Sequence, residues 1–229
     1  MNKLRKVYKI GKEKVIALDN INIEIKKGEI CCILGTSGSG KSTLLNMLAG
    51  LEKPTRGDII IKKSKVNKLS EKKLAVFRQK YIGFVFQSYN LIPTLTAEEN
   101  VALPLVFRRM RKGRRSQWSK DMLKLVGLGD RLKHKPTQMS GGQQQRVGIA
   151  RAFVAKPAVV FADEPTGNLD SRTTIEVLVL MLKIARDNNQ TLIIVTHDTE
   201  IAEYADRIIQ LKDGMVIADY APEKKAGAE

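Results

Sequence analysis

Three short stretches of this 229-residue chain place side chains at spacings suited to phosphate chemistry. The first is Gly35-Thr36-Ser37-Gly38-Ser39-Gly40-Lys41-Ser42, a match to the G-x-x-x-x-G-K-[ST] pattern. Its glycines let the backbone bend until successive N–H groups surround phosphate oxygens. An apolar run, Ile30 to Leu34, precedes the loop, and a helical pattern from Lys41 to Ala49 follows it. The positive end of that helix therefore faces the same anion. In such a setting Lys41 reaches the β- and γ-phosphates as a point charge, and the Ser42 hydroxyl ligates Mg²⁺. The loop alone specifies a phosphate-binding NTPase and no more; kinases, GTPases and helicases all qualify.

The second stretch is Val159-Val160-Phe161-Ala162-Asp163-Glu164, an apolar strand ending in two acids. Charges at the carboxyl end of a buried strand lie at the mouth of an α/β sheet, where ligands bind. Asp163 would hold Mg²⁺ through a water. Glu164, pointing the other way, would orient and deprotonate a water for in-line attack on a γ-phosphate. Without the phosphate loop, two solvated acids after a strand would fit as well.

The third stretch, Ser140-Gly141-Gly142-Gln143-Gln144-Gln145-Arg146, lies shortly before that strand. Ser140 suits a helix N-cap, Gly141 and Gly142 allow close backbone approach, and Val147, Ala150, Arg151 and Val154 follow at helical spacing. This is a second helix N-terminus suited to an anion. One chain has no evident use for two anion cradles on a single nucleotide, whereas a head-to-tail pair of chains does. As a bare pattern, an ordinary capped helix fits equally.

Strand-like and helix-like segments alternate around these stretches, which predicts an α/β domain. Strands are expected at Ile21 to Ile25, Ile30 to Leu34, Ile59 to Ile61, Tyr81 to Phe86, Val159 to Ala162 and Leu192 to Val195. A late pair, Ile208 to Leu211 and Met215 to Ala218, flanks the turn signal Asp213-Gly214. The helix after Lys41 is expected to close at Gly50, and one from Ser171 to about Asp187 to bury Ile175, Leu178, Val179 and Leu182. Between about Ser88 and Lys135 the strands give way to basic helical patterning, punctuated by Pro93 and Pro104 and broken at Gly127 and Gly129.

Composition narrows the class less. The chain is 43% hydrophobic and 28% charged, ordinary for a globular protein. It has no run near the roughly 18–20 apolar residues of a membrane-spanning helix and no secretion signal, so a soluble protein that stays where it is made is expected. The adjacent Cys31 and Cys32 point to opposite faces of a strand and are expected to be buried reduced thiols. The net charge of +16 admits nucleic acid, anionic lipid or a solvated surface as its explanation.

With those residues in place, the chain resembles the ABC ATPase family: GTSGSGKS resembles its Walker A motif, VVFADE its Walker B and SGGQQ its signature, in the family's order and over nearly the whole length. Met139 stands where the family usually has Leu, and should pack equivalently. The resemblance implies a P-loop NTPase core with a RecA-like mixed sheet, an antiparallel β part and a helical subdomain insertion. One ABC ATPase domain over 1–221 is implied, with core segments 1–87 and 157–221, the helical subdomain at about 88–156, and a polar tail at 222–229.

It also implies site roles. Gly35, Thr36, Ser37, Gly38, Ser39, Gly40, Lys41, Ser42 and Thr43 would bind ATP, with Tyr8 stacking on adenine. Ser42, Asp163 and Gln87 would serve Mg²⁺, and Glu164, His197, Gln87 and Lys41 catalysis. Ser140, Gly141, Gly142 and Gln143 would close over the second subunit's ATP, and Asp170, in Gly167-Asn168-Leu169-Asp170, would cross the dimer interface. His134 matches no family site and reads as surface.

Phe84-Val85-Phe86-Gln87 and Asn90-Leu91-Ile92-Pro93 resemble in particular the macrolide-exporter and lipoprotein-releasing ATPases. The implied partners are a second ATPase subunit, an identical copy being the simplest, and a transmembrane permease that holds the protein on the cytoplasmic face of the cell membrane. Chromosome-handling relatives need coiled-coil heptads that this chain lacks, so no specific nucleic acid is expected. A soluble assembly ATPase remains the alternative, and a small-molecule kinase leaves Ser140 to Gln145 without a use.

Overall fold

The structure, a computed structural model, describes residues 1–223; the polar tail read over 222–229 lies, beyond Glu223, outside the described residues. The described residues form two compact units, Met1–Arg78 with 193–223, and Gln79–Leu192.

In the first unit, β1 (Asn2–Ile10) and β2 (Glu13–Ile21) pair antiparallel, and β4 (Arg56–Asp58) lies on the other side of β1. A second sheet centres on β3 (Ile30–Leu34), in which all five residues are buried. Such a continuous apolar run is what a strand covered on both faces requires. Its neighbours are β9 (Thr191–Thr196), of which residues 193–196 belong to this unit, and β10 (Arg207–Lys212), which runs parallel to it from Arg207 opposite Cys31. β11 (Met215–Tyr220) closes the edge through the hairpin at Asp213-Gly214. There Arg207 grips Asp219 with two bonds of 2.6 Å. Helix α1 (Lys41–Leu48) follows β3 and ends on Gly50 at φ +66°, the left-handed stop expected. A small hairpin of β5 (Ile60–Ile61) and β6 (Ser64–Lys65) precedes α2 (Glu71–Tyr81).

In the second unit, β7 (Ile82–Val85) and β8 (Val159–Asp163) are parallel, with Val85 opposite Ala162. Between them in sequence lie α3 (Ala97–Phe107), α4 (Lys112–Leu125) and α5 (Gly141–Phe153), and α6 (Ser171–Asp187) follows β8. Thr96 and Glu99 form a reciprocal cap on α3, which with burial of Val101, Ala102 and Leu105 carries the helix straight through Pro104. Pro104 therefore does not punctuate the helix as expected.

Other boundaries also differ from the sequence reading. Ile21 and Ile23 are buried in alternation as expected, yet the strand ladder stops at Ile21. The strand expected at Ile59 to Ile61 is split, because the Ile59 N–H bonds the Asn67 side chain at 3.0 Å instead of a neighbouring strand. Helix α6 is rotated from the expected face: Val177, Leu178, Met181, Leu182 and Ala185 are buried, while Ile175 and Val179 are exposed. Both stripes satisfy the helical period, and only packing chooses between them. Cys31 and Cys32 are buried free thiols, as expected.

Candidate functional site

In the first unit the phosphate loop leaves the carboxyl end of β3 and enters α1. Gly38 and Gly40 have φ of +80° and +84°, a left-handed conformation costly to residues with a Cβ. Gly40 is the N-cap of α1, and a Cβ there would run into the Ala17 carbonyl and come 3.1 Å from Leu18 Cδ2. A Cβ on Gly38 would meet nothing within 4 Å. The Lys41 ammonium is folded back into the loop, donating to the carbonyls of Gly35 at 2.8 Å and Thr36 at 3.1 Å, with only 8% of the residue exposed. Burial of a cation is tolerable because those carbonyls pair it. Thr36, Ser37 and Ser42 are exposed, and Ser39 is buried. The first turn of α1 holds no acidic residue, so no carboxylate competes with an anion at its positive end.

Two more expected residues belong to this unit. The Tyr8 hydroxyl donates to Glu52 at 2.7 Å, and Thr43 is a further hydrogen-bond partner. The ring therefore lies beside α1, with the Lys6 ammonium 4.9 Å from its centroid. Burial, aided by the bond to Glu52, pushes the Tyr8 phenol above its usual value. His197 is exposed directly after β9, and the Gly35 N–H donates to the Thr196 carbonyl at 3.3 Å. That bond sets the start of the phosphate loop beside the residue preceding His197.

In the second unit, the parallel pairing of β7 and β8 brings Gln87 and the Asp163-Glu164 pair to one end of the strands. Asp163 and Glu164 are half-buried, and Glu164 sits at φ +41°, a conformation uncommon for a residue with a side chain. The turn after it is held by Gly167 N–H to Glu164 O at 3.1 Å and Leu169 N–H to Thr166 O at 3.0 Å. Asn168 donates to the Gln87 carbonyl at 3.1 Å. Asp170 caps α6, accepting from the Thr173 backbone N–H at 3.0 Å and its hydroxyl at 2.7 Å. The Thr173 bonds, the backbone one foremost, hold its carboxyl below the usual range.

Ser140 caps α5 as expected: its hydroxyl accepts the Gln143 N–H at 3.3 Å, and the Gln143 side chain accepts the Ser140 N–H at 3.1 Å. Like α1, α5 has no acid in its first turn, whereas α3 carries Glu98 and Glu99 there. Met139 is buried, as the leucine equivalence required. Gln145 and Arg151 on α5 were read from sequence only as part of the capped helix, with no site role, although both bond backbone carbonyls of the loop around Gln87. No spacing rule marks a polar side chain aimed at a distant main chain.

Among the described residues, no cluster of His, Cys, Asp and Glu could cage a metal. The donors singled out by sequence, Ser42, Gln87 and Asp163, all offer oxygen. That set suits a hard cation whose other ligands are phosphate oxygens and water. Nor is any described helix long and apolar enough to cross a membrane.

Comparison with known proteins matches residues 18–167 to the family described as ABC transporter. The ABC transporter ATP-binding protein MJ1508 of Methanocaldococcus jannaschii is 50% identical over 93% of this chain and 94% of its own length. The macrolide export ATP-binding/permease protein MacB of Rhodopirellula baltica is 44% identical over 94% of this chain, which spans 32% of that relative. A solved dimer of the ATP-binding cassette MJ0796, also of M. jannaschii, in a post-hydrolysis state with ADP and Pi, superposes with a TM-score of 0.89 at 44% identity, covering 98% of both chains.

Proposed function

From a chain that belongs to the ABC transporter family as its ATPase module, we propose that two copies sandwich two ATP molecules and drive a separate membrane permease. Each ATP lies between residues 35–43 of one copy and Ser140 to Gln143 of the other. The observation that carries this reading is the second anion-ready helix N-terminus: α5 is capped by Ser140, opens on two glycines and, like α1, has no acid in its first turn. The dimeric MJ0796 cassette, bound to ADP and Pi, supports the same pairing.

In this reading the loop N–H groups from Gly35 to Thr43 surround the phosphates, and Lys41 exchanges its two carbonyl partners for β- and γ-phosphate oxygens. Tyr8 stacks on the adenine. Glu164 accepts a proton from the attacking water, which Gln87 and His197 orient against the γ-phosphate. Asp170 lies at the interface between copies. Ser42, Asp163 and Gln87 would hold Mg²⁺, which when bound neutralises charge on the β- and γ-phosphates. Closure excludes water, and hydrolysis lets the dimer reopen. The likeness to a macrolide export ATP-binding/permease protein favours export or mechanical transmission through a transmembrane permease that holds this chain on the cytoplasmic face of the membrane.

Glu164→Gln tests this function. It should lower turnover roughly 10²–10⁴-fold and give an ATP-dependent dimer by gel filtration. The trapped variant, used as bait on gently solubilised membranes, should retain a permease. Near-normal turnover would remove Glu164 from its role, and recovery of nucleic acid or soluble assembly proteins without a membrane protein would overturn the transport reading.

A further inference from the structure

The loop from Phe86 to Asn90 is held almost carbonyl by carbonyl from outside itself. Gln145 on α5 donates its side-chain amide to Phe86 O at 3.3 Å and to Pro165 O, just past Glu164. Asn168 donates to Gln87 O at 3.1 Å. The Arg151 guanidinium, on the same helix as Gln145, forks onto Tyr89 O at 2.8 Å and Asn90 O at 2.5 Å. Tyr89 and Asn90 themselves have φ of +60° and +48°, successive left-handed residues that carry side chains. Such a conformation persists only where surrounding contacts impose it, and the carbonyls that Arg151 grips are those of these two residues. At the other end of α5, the Tyr89 hydroxyl stands 2.8 Å from where a Cβ on Gly141 would be. The helix capped by Ser140 thus touches the loop around Gln87 at both ends, and through Gln145 it also touches the turn after Glu164.

We propose that Arg151, Gln145 and Asn168 are positioning residues that couple the two ATP sites of the dimer. This rests on the paired-chain reading above, in which Ser140 of a copy meets the ATP bound to its partner while Gln87 and Glu164 of that copy act on its own ATP. A shift of α5 when Ser140 engages one ATP is passed, through these side-chain bonds to main-chain carbonyls, to the residues that act on the other. The Arg151 fork is planar and bidentate, so a lysine at that position keeps the charge but cannot hold both carbonyls in the same geometry.

The test is the ATP dependence of turnover for the full chain, the Arg151→Lys variant and Asn168→Ala, with melting temperatures measured beside it. The parent is expected to show a Hill coefficient approaching 2, the ceiling for a pair of sites. Arg151→Lys should bring it near 1 and raise the ATP concentration at half-maximal turnover roughly tenfold, within the usual span of coupling between sites. Binding of a non-hydrolysable ATP analogue to the monomer should not change. Asn168, exposed on its turn, provides a variant that leaves the core intact, and Asn168→Ala should move the Hill coefficient the same way. Two cooperative variants beside a cooperative parent would overturn the clamp alone. A parent with a Hill coefficient of 1 would overturn the paired-site reading and the clamp with it.

Discussion

Gly38 and Gly40 lie two residues apart in the same loop with nearly the same φ, yet the structure assigns them different costs when a methyl group is added. At Gly38 the Cβ meets nothing within 4 Å. Alanine there bears the left-handed penalty of about 1–2 kcal/mol, partly offset by about 0.4–1 kcal/mol from a less flexible unfolded chain. The net loss is about 1 kcal/mol. At Gly40 the same Cβ meets the Ala17 carbonyl and Leu18 Cδ2. Relief of that overlap adds about 1–3 kcal/mol, for a total near 2–4 kcal/mol. For a chain of this size the melting temperature should fall by about 2–4 °C in Gly38→Ala and about 5–15 °C in Gly40→Ala. ATP affinity reports on the backbone instead: alanine keeps the Gly38 N–H of the phosphate cradle, so binding weakens, by roughly tenfold or more for one charge-assisted bond, only where the strained backbone turns that N–H away from the phosphate. Thermal melts and calorimetric titration of ATP at a temperature where both variants are folded read the two effects separately. Equal melting temperatures in the two variants, or Gly38→Ala the less stable, would refute the placement of the loop against β2.

Two further outcomes rest on ionisations that the fold displaces. Hydrogen bonds from Arg207 hold the Asp219 carboxyl below its usual value; the stability this pair adds is therefore present above about pH 4 and is lost as pH falls through the depressed value. Urea midpoints measured from pH 6 downward should fall less steeply in Asp219→Asn than in the parent, and parallel curves would remove the pair from the acid response. Burial pushes the Cys32 thiol up to about 12 and Cys31 further still. Neither should react with iodoacetamide at pH 8 until the chain is unfolded in guanidinium, and fast labelling of the native protein would contradict the burial of β3.

What the sequence determined by itself is what contiguous residues carry. The phosphate loop, the Ser140 cap, the acids ending β8 and the buried strands β3 and β9 each depend on a few neighbours, so motif and period identify them without knowledge of the rest. Cys31 and Cys32 were legible for the same reason. Tertiary structure decided what depends on residues far apart in the chain. β1 was hidden because its register shifts at Leu4/Lys6 and Lys6/Val7 break the two-residue alternation that marks a strand. The strand at Ile59 was cut short by a side chain eight residues away, Asn67, that no propensity reveals. The buried face of α6 was set by packing, since Ile175 and Val179 fit the helical period as well as the residues that are inside. The grip on the Gln87 loop joins residues 59 and 61 positions apart, Gln145 to Phe86 and Arg151 to Asn90. A hydrogen bond to a main-chain carbonyl leaves no trace in the identity of the residue that accepts it, so only the folded chain could disclose that contact.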